Sequence, residues 1–304
     1  MISVWKFLTE SSDGTMVPVA LHEVLTEIKG ALMIIAIDGP ASSGKSTVAK
    51  LVARELGFAY LDTGAMYRSV AWRALEEGLD LSDPLPQTTR ERIAQIATVE
   101  PISFGYLPKD PLPSQVFISG EDVTAQIRTA EADVAVSPVS ADPGVRAALT
   151  EQQRTIGRAQ DTVMEGRDIG TVVFPDAELK VFLTASAEER ARRRHRQNVK
   201  KARAKGQPYT GLDEAAILAD IHRRDTYDSS RKTAPLAKAP DARVLDTTDL
   251  SIEQVVSQVV ALVRERQTPQ PADGQPADER QTPQPTDGQP VDERPVRERK
   301  APTN

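Results

Sequence analysis

The 304-residue chain has no cysteine, so it carries no disulfide, no thiolate nucleophile and no cysteine-based zinc site. Its three histidines, His22, His195 and His222, are scattered, which speaks against a histidine metal cluster. Only two asparagines occur, Asn198 and Asn304, and neither begins the N-K-x-D motif that reads guanine. No apolar run approaches the ~20 residues a spanning helix needs. With one lysine and no sustained apolar stretch, the N-terminus does not read as a signal peptide. A formal net charge of −6 argues against a general nucleic-acid or membrane binder. These gaps leave a soluble, cytoplasmic protein of one large domain or two as the expectation. Its 39% hydrophobic and 27% charged residues suffice for a core.

One stretch states a chemistry. Gly39-Pro40-Ala41-Ser42-Ser43-Gly44-Lys45-Ser46-Thr47 fits G-x-x-x-x-G-K-[ST], the phosphate-binding P-loop. The β-branched run Met33–Asp38 before it reads as a buried strand, and Val48, Leu51, Val52 and Leu56 after it have helical spacing. Gly39 and Gly44 allow backbone angles that turn successive N–H groups into one concavity, at a helix N-terminus that already favours an anion. Lys45 then places a positive charge on the β- and γ-phosphates of a nucleoside triphosphate, and the Ser46 hydroxyl serves Mg²⁺.

Strands and helices alternate around this motif, which predicts an α/β fold with a mainly parallel sheet. Strands are expected near 58–61, 162–166, 179–183 and 243–246. Helices are expected over 63–77, 130–140, 145–159 and 187–204, with two more capped by Asp213 and Ser251. Prolines at 84, 86, 101, 108, 111 and 113 exclude a central strand, and alternation at 99–104 and 115–119 suggests a small antiparallel insert. Ligands of such sheets bind beyond the carboxyl ends of the strands. Asp62, Glu165-Gly166-Arg167 and the P-loop should therefore meet in one cleft.

The two ends read differently. Residues 1–32 form an extension, with a short helix at Leu21–Ile28 and no assigned chemistry. From 267 to 304 the chain nearly repeats itself: Gln267-Thr268-Pro269-Gln270-Pro271 returns as Gln281-Thr282-Pro283-Gln284-Pro285. With few large apolar groups such a tail is expected to be disordered.

The arginines favour a kinase of phosphate-bearing small molecules over a switch or a motor. A phosphate acceptor is already ionised and needs no general base, so the work is positioning and charge neutralisation. The guanidinium fork suits two phosphate oxygens at once. Arg68, Arg167, Arg224 and Arg231 stand at candidate cleft positions. The basic run Arg190, Arg192, Arg193, Arg194 and Arg196 has three readings: a solvated helix face, a lid over the donor phosphates, or an RNA patch.

Four further motifs carry a resemblance beyond the P-loop. They are Leu61-Asp62-Thr63-Gly64-Ala65-Met66-Tyr67-Arg68, Glu121-Asp122-Val123 with Ile127-Arg128-Thr129, Glu165-Gly166-Arg167-Asp168-Ile169-Gly170-Thr171-Val172-Val173-Phe174-Pro175, and Arg224-Asp225 with Asp228-Ser229-Ser230-Arg231. In order, over residues 33–266, the chain resembles the bacterial cytidylate kinases. The resemblance implies a P-loop three-layer α/β sandwich with an antiparallel insert at 84–128 in the monophosphate-binding region and a helical lid at 186–211. It implies transfer of the ATP γ-phosphate to CMP or dCMP with Mg²⁺, by a monomer with no nucleic-acid or membrane partner. Carried over by position, Thr63, Arg68, Arg167 and Arg231 would hold the acceptor phosphate. Ser137, Arg146 and Asp168 would read cytosine, while Arg224 and Asp228 would touch the sugar. Lys45, Arg68, Arg167 and Arg194 would act on the transferred group. The extension and the repeated tail depart from the family's usual limits. Rival readings are a kinase of the same fold with another acceptor, such as UMP, and a nucleotide-dependent switch whose tail recruits partners.

Overall fold

The structure, a computed structural model, describes residues 32–231 and 233–267, and the backbone of 8–10 and 16–18. The helix expected at 21–28 and the disorder expected of the tail lie outside the described residues. Leu8–Glu10 (β1) and Met16–Pro18 (β2) pair antiparallel.

A five-stranded parallel sheet organises the rest: Ile34–Asp38 (β3), Ala59–Asp62 (β4), Thr162–Gly166 (β8), Leu179–Thr184 (β9) and Arg243–Asp246 (β10), in the order β10-β9-β3-β8-β4. Period-2 alternation divides β3 between two cores. Ile34 and Ala36 face Thr63–Glu76 (α2), Gln87–Val99 (α3), Ala130–Ala141 (α4) and Pro143–Gly157 (α5). Ile35 and Ile37 face Lys45–Leu56 (α1) and Ile252–Gln267 (α8). Two helical layers on one sheet make the expected three-layer sandwich. In α8 the buried stripe is Val255, Val256, Val259, Val260 and Val263. Valine is a modest helix former, so packing on the sheet fixes this helix.

The insert departs from expectation. Strands were expected here at 99–104 and 115–119 and no helix was, yet α3 occupies Gln87–Val99, with Thr89, Ile93, Ile96 and Ala97 buried on one face. The prolines bracket it, Pro86 before and Pro101 after, and none falls in a strand of the parallel sheet. The strands Ile102–Tyr106 (β5), Pro113–Ile118 (β6) and Glu121–Asp122 (β7) form the antiparallel sheet expected there.

Beyond β9 lie Ala187–Ala204 (α6) and Glu214–Ser230 (α7). Ser186 caps α6 by accepting from Glu189 N–H at 3.2 Å, and Asp213 caps α7 from Ala216 N–H at 2.8 Å. Their shared core is small: Ala191, Ile217 and Ile221 are its buried members. Among the described residues no helix is long and apolar enough to cross a membrane.

Candidate active site

Sheet register brings the expected residues to one edge. Asp38 is paired with Gly166, Asp62 with Glu165, and Asp246 with Thr184, so the carboxyl ends of all five strands lie side by side. Between them opens a cleft of about 920 Å³, lined by the P-loop from Ala41 to Thr47 and by every acceptor-side residue expected, from Thr63 to Arg231. Gly39 and Pro40 shape the loop without lining the cleft.

The P-loop is built as its sequence requires. At Gly39 φ is 147°, and a Cβ would stand 2.0 Å from the Leu183 carbonyl oxygen of β9, so only glycine fits. Gly44, with φ 95°, is the N-cap of α1. Lys45 Nζ donates to the Pro40 carbonyl at 2.6 Å across the loop. Burial lowers its ammonium to about 7, Arg167 adds to that, and Glu165 and Asp38 oppose it. The Ser43 hydroxyl oxygen is buried and has no hydrogen-bond partner among the described residues.

Glu165 closes the floor between the two halves. It accepts from Ser46 Oγ at 2.8 Å and from the Tyr60 hydroxyl, while its carbonyl accepts from Thr63 Oγ1 at 2.7 Å. Burial first, and Asp62 second, raise its carboxyl above the ordinary range. Thus α1, β4, α2 and β8 are cross-linked at the point where donor and acceptor sides meet. Asp38 at the end of β3 ties that strand to the segment following β8, accepting Ile169 N–H at 2.9 Å and Gly170 N–H at 2.8 Å.

On the opposite wall the arginines are held by carboxylates. Arg146 pairs with Asp168, donates to the Ser140 carbonyl at 3.0 Å, and lies over the Tyr67 ring at 5.3 Å. Asp228 receives Arg167 Nε at 3.2 Å on one oxygen and Arg231 on the other. Arg68 and Arg194 share Asp133, at 3.3 and 3.5 Å. Burial first, and Arg167 second, depress Arg224 below its ordinary value, while Asp228 and Asp133 oppose the shift.

The basic helix α6 splits its arginines by face. Arg192 and Arg196, 52% and 68% exposed, pair with Glu189 in solvent. Arg190 is buried, holding Asp225 through two bonds of 3.1 and 2.6 Å and the Ala41 carbonyl at 3.3 Å. Arg193 reaches Thr247 Oγ1 at 2.8 Å and the Ser43 carbonyl at 3.5 Å, so the helix lies against the P-loop. Asp133, Tyr60 and Thr247 belong to the site's framework without having been singled out, as does the pairing of Arg190 with Asp225. Each gains its meaning from a partner more than 30 residues away, so no local pattern marks it.

Chemically, an anion cradle at a helix N-terminus faces a wall of guanidinium groups across one cleft, an arrangement for bringing two phosphate-bearing ligands together. The comparisons with known proteins agree. A cytidylate kinase family model matches residues 35–265. The chain is 45% identical over 236 residues to the cytidylate kinase of Lactiplantibacillus plantarum, covering 77% of this chain and 96% of that one. It is 46% identical over 235 residues to the cytidylate kinase of Rhodococcus opacus, covering 77% and 96%. A bifunctional pantoate ligase/cytidylate kinase of a Synechococcus strain matches at 47% over 237 residues, 78% of this chain and 42% of that longer protein. On this match of family model and relatives, with the motifs seated in one cleft, the chain belongs to the cytidylate kinase family.

Proposed function

We propose that this protein transfers the γ-phosphate of ATP to CMP or dCMP, yielding ADP and CDP or dCDP. The observation that carries the reading is the placement of the P-loop and the Arg146–Asp168 pair in the same cleft, which Arg68, Arg167 and Arg231 also line. The donor's phosphates fit the cradle of 39–47, where Lys45 exchanges the Pro40 carbonyl for phosphate oxygens. The acceptor's phosphate takes Thr63, Arg68, Arg167 and Arg231, and its sugar lies toward Arg224 and Asp228. Ser137 and Arg146 donate to the O2 and N3 edge of cytosine, and Asp168 accepts from the N4 amino group. Uracil presents an acceptor at that position and leaves Asp168 facing it. Arg194 approaches the transferred group from α6.

Mg²⁺ entering with ATP fits the hard oxygen donors at the cradle's floor, where the Ser46 hydroxyl would hold it and Glu165 and Asp62 stand behind. The ion supplies charge neutralisation on the phosphates. The chain's own groups do the rest: backbone N–H groups and Lys45 orient the donor, and the guanidiniums quiet the repulsion between two anions. We read the enzyme as a cytoplasmic monomer whose partners are these small molecules alone.

A panel of monophosphates in a coupled assay for ADP tests the reading. CMP and dCMP should be converted far faster than UMP, AMP or GMP. No turnover of CMP with Mg²⁺ and ATP would overturn it.

A further inference from the structure

Asp133 is the one carboxylate of the acceptor wall that the roles above leave unused. It stands in the first turn of α4, where an acid also complements the helix dipole. Glu131 in the same turn, exposed to solvent, answers that need without touching the cleft. Asp133 instead reaches two guanidiniums on different elements: Arg68 of α2 through Oδ1 at 3.3 Å and Arg194 of α6 through Oδ2 at 3.5 Å. The three side chains are 29%, 36% and 35% exposed for Arg68, Arg194 and Asp133, so the cluster borders the cleft instead of serving the core. Two oxygens of one anion bridging two arginines is also the geometry in which a phosphate would be gripped.

We propose that Asp133 is a built-in counter-ion that competes with phosphate for two arginines, with the acceptor's phosphate for Arg68 and with the transferred group for Arg194, so that both are exchanged from carboxylate to phosphate when the nucleotides bind. This rests on reading both arginines as phosphate-binding groups. Asp133 is then a specificity and affinity-setting residue. It keeps the two guanidiniums from repelling each other across the gap between α2 and α6. It also weakens the hold on any anion too poorly placed to displace it, including the departing product.

The test compares the unsubstituted protein with Asp133→Asn and, as a second variant should the first misfold, Asp133→Ser. Sulfate binding is read by thermal shift and CMP binding by calorimetry. Removing the competing charge should tighten both by about three- to ten-fold, the worth of two part-exposed ion pairs. Adding Arg68→Ala to Asp133→Asn should erase the gain, because the coupling runs through that arginine. Unchanged or weaker sulfate and CMP binding in both folded single variants would overturn the proposal, since it would make Asp133 a residue that merely positions the arginines. Failure of the unsubstituted protein to bind CMP would defeat the kinase reading instead, and the sulfate comparison would still decide the role of Asp133.

Discussion

At the scale of single residues, two carboxylates make opposite uses of burial. Asp168 is buried beside Arg146 and, on the proposed function, spends its acceptor capacity on the cytosine N4 amino group. Asp168→Ala should reduce the preference for CMP over UMP by about 10- to 100-fold, the value of one well-placed base contact. Turnover of both nucleotides over a concentration series gives kcat/KM for each. A preserved ratio would remove Asp168 from base reading. Asp38 is also buried, with two backbone N–H donors favouring its ionised form, yet burial prevails and pushes its carboxyl up to about 6 from the ordinary 3.8. The sign follows directly. A raised folded value means the native state holds the proton more tightly than the unfolded chain does. That stabilisation is complete below about pH 4 and is lost as pH rises through about 6. Asp38→Asn has no such proton to lose. Urea unfolding of both proteins at pH 5 and pH 7.5 should show the variant gaining about 1 kcal/mol relative to the parent over that interval. A constant difference would mean that Asp38 is ionised throughout.

At the scale of elements, stability is unevenly spread. The sheet helices α1 and α8 bury broad apolar stripes, whereas α6 and α7 share three buried side chains and depend on ion pairs for the rest. An element held mostly by polar contacts opens more cheaply than one held by a core, which suits a lid. Arg190 is the main tie, because it joins α6 to Asp225 of α7 and to the Ala41 carbonyl of the P-loop at once. Arg190→Met should destabilise this pair of helices by about 1–3 kcal/mol, less than the cost of breaking a fully buried pair because Asp225 keeps some contact with water. Hydrogen exchange is the measurement that localises the loss. Amides of 187–230 should exchange faster while those of β3, β8 and β9 hold their protection; uniform acceleration would show that this helix pair and the sheet open together.

At the scale of the whole molecule, what could be read ahead depended on where the causes lie. The parallel sheet, the P-loop and the basic helix are written in local periodicity and glycine placement, so their positions were legible to within a residue or two. Helix α3 was not, because the surrounding prolines speak only to what they exclude, and the helical spacing of Thr89, Ile93, Ile96 and Ala97 between them went unread. The cross-links of the cleft, Tyr60 to Glu165 and Asp133 to two arginines, exist only after folding and leave no local mark. Much the same logic separates the repeated tail from the kinase. Every residue lining the cleft falls between Ala41 and Val255, and the second core is completed by α8, which ends at Gln267. Truncation after Gln267 should therefore leave kcat and the KM for CMP within about two-fold of the full chain and the melting temperature unmoved, since every cleft and core residue among the described residues is kept. Truncation after Asp249 removes the five buried valines of α8. At about 1.5–3 kcal/mol each, that is roughly 7–15 kcal/mol, as large as the whole stability of a typical domain, so this shorter chain should fail to fold. Coupled assays and thermal melts on the two truncations check both halves. Slow ATP hydrolysis that does not depend on CMP, in the full chain and lost from the longer truncation with its melt unchanged, would favour the rival reading of a nucleotide-dependent switch whose tail recruits partners.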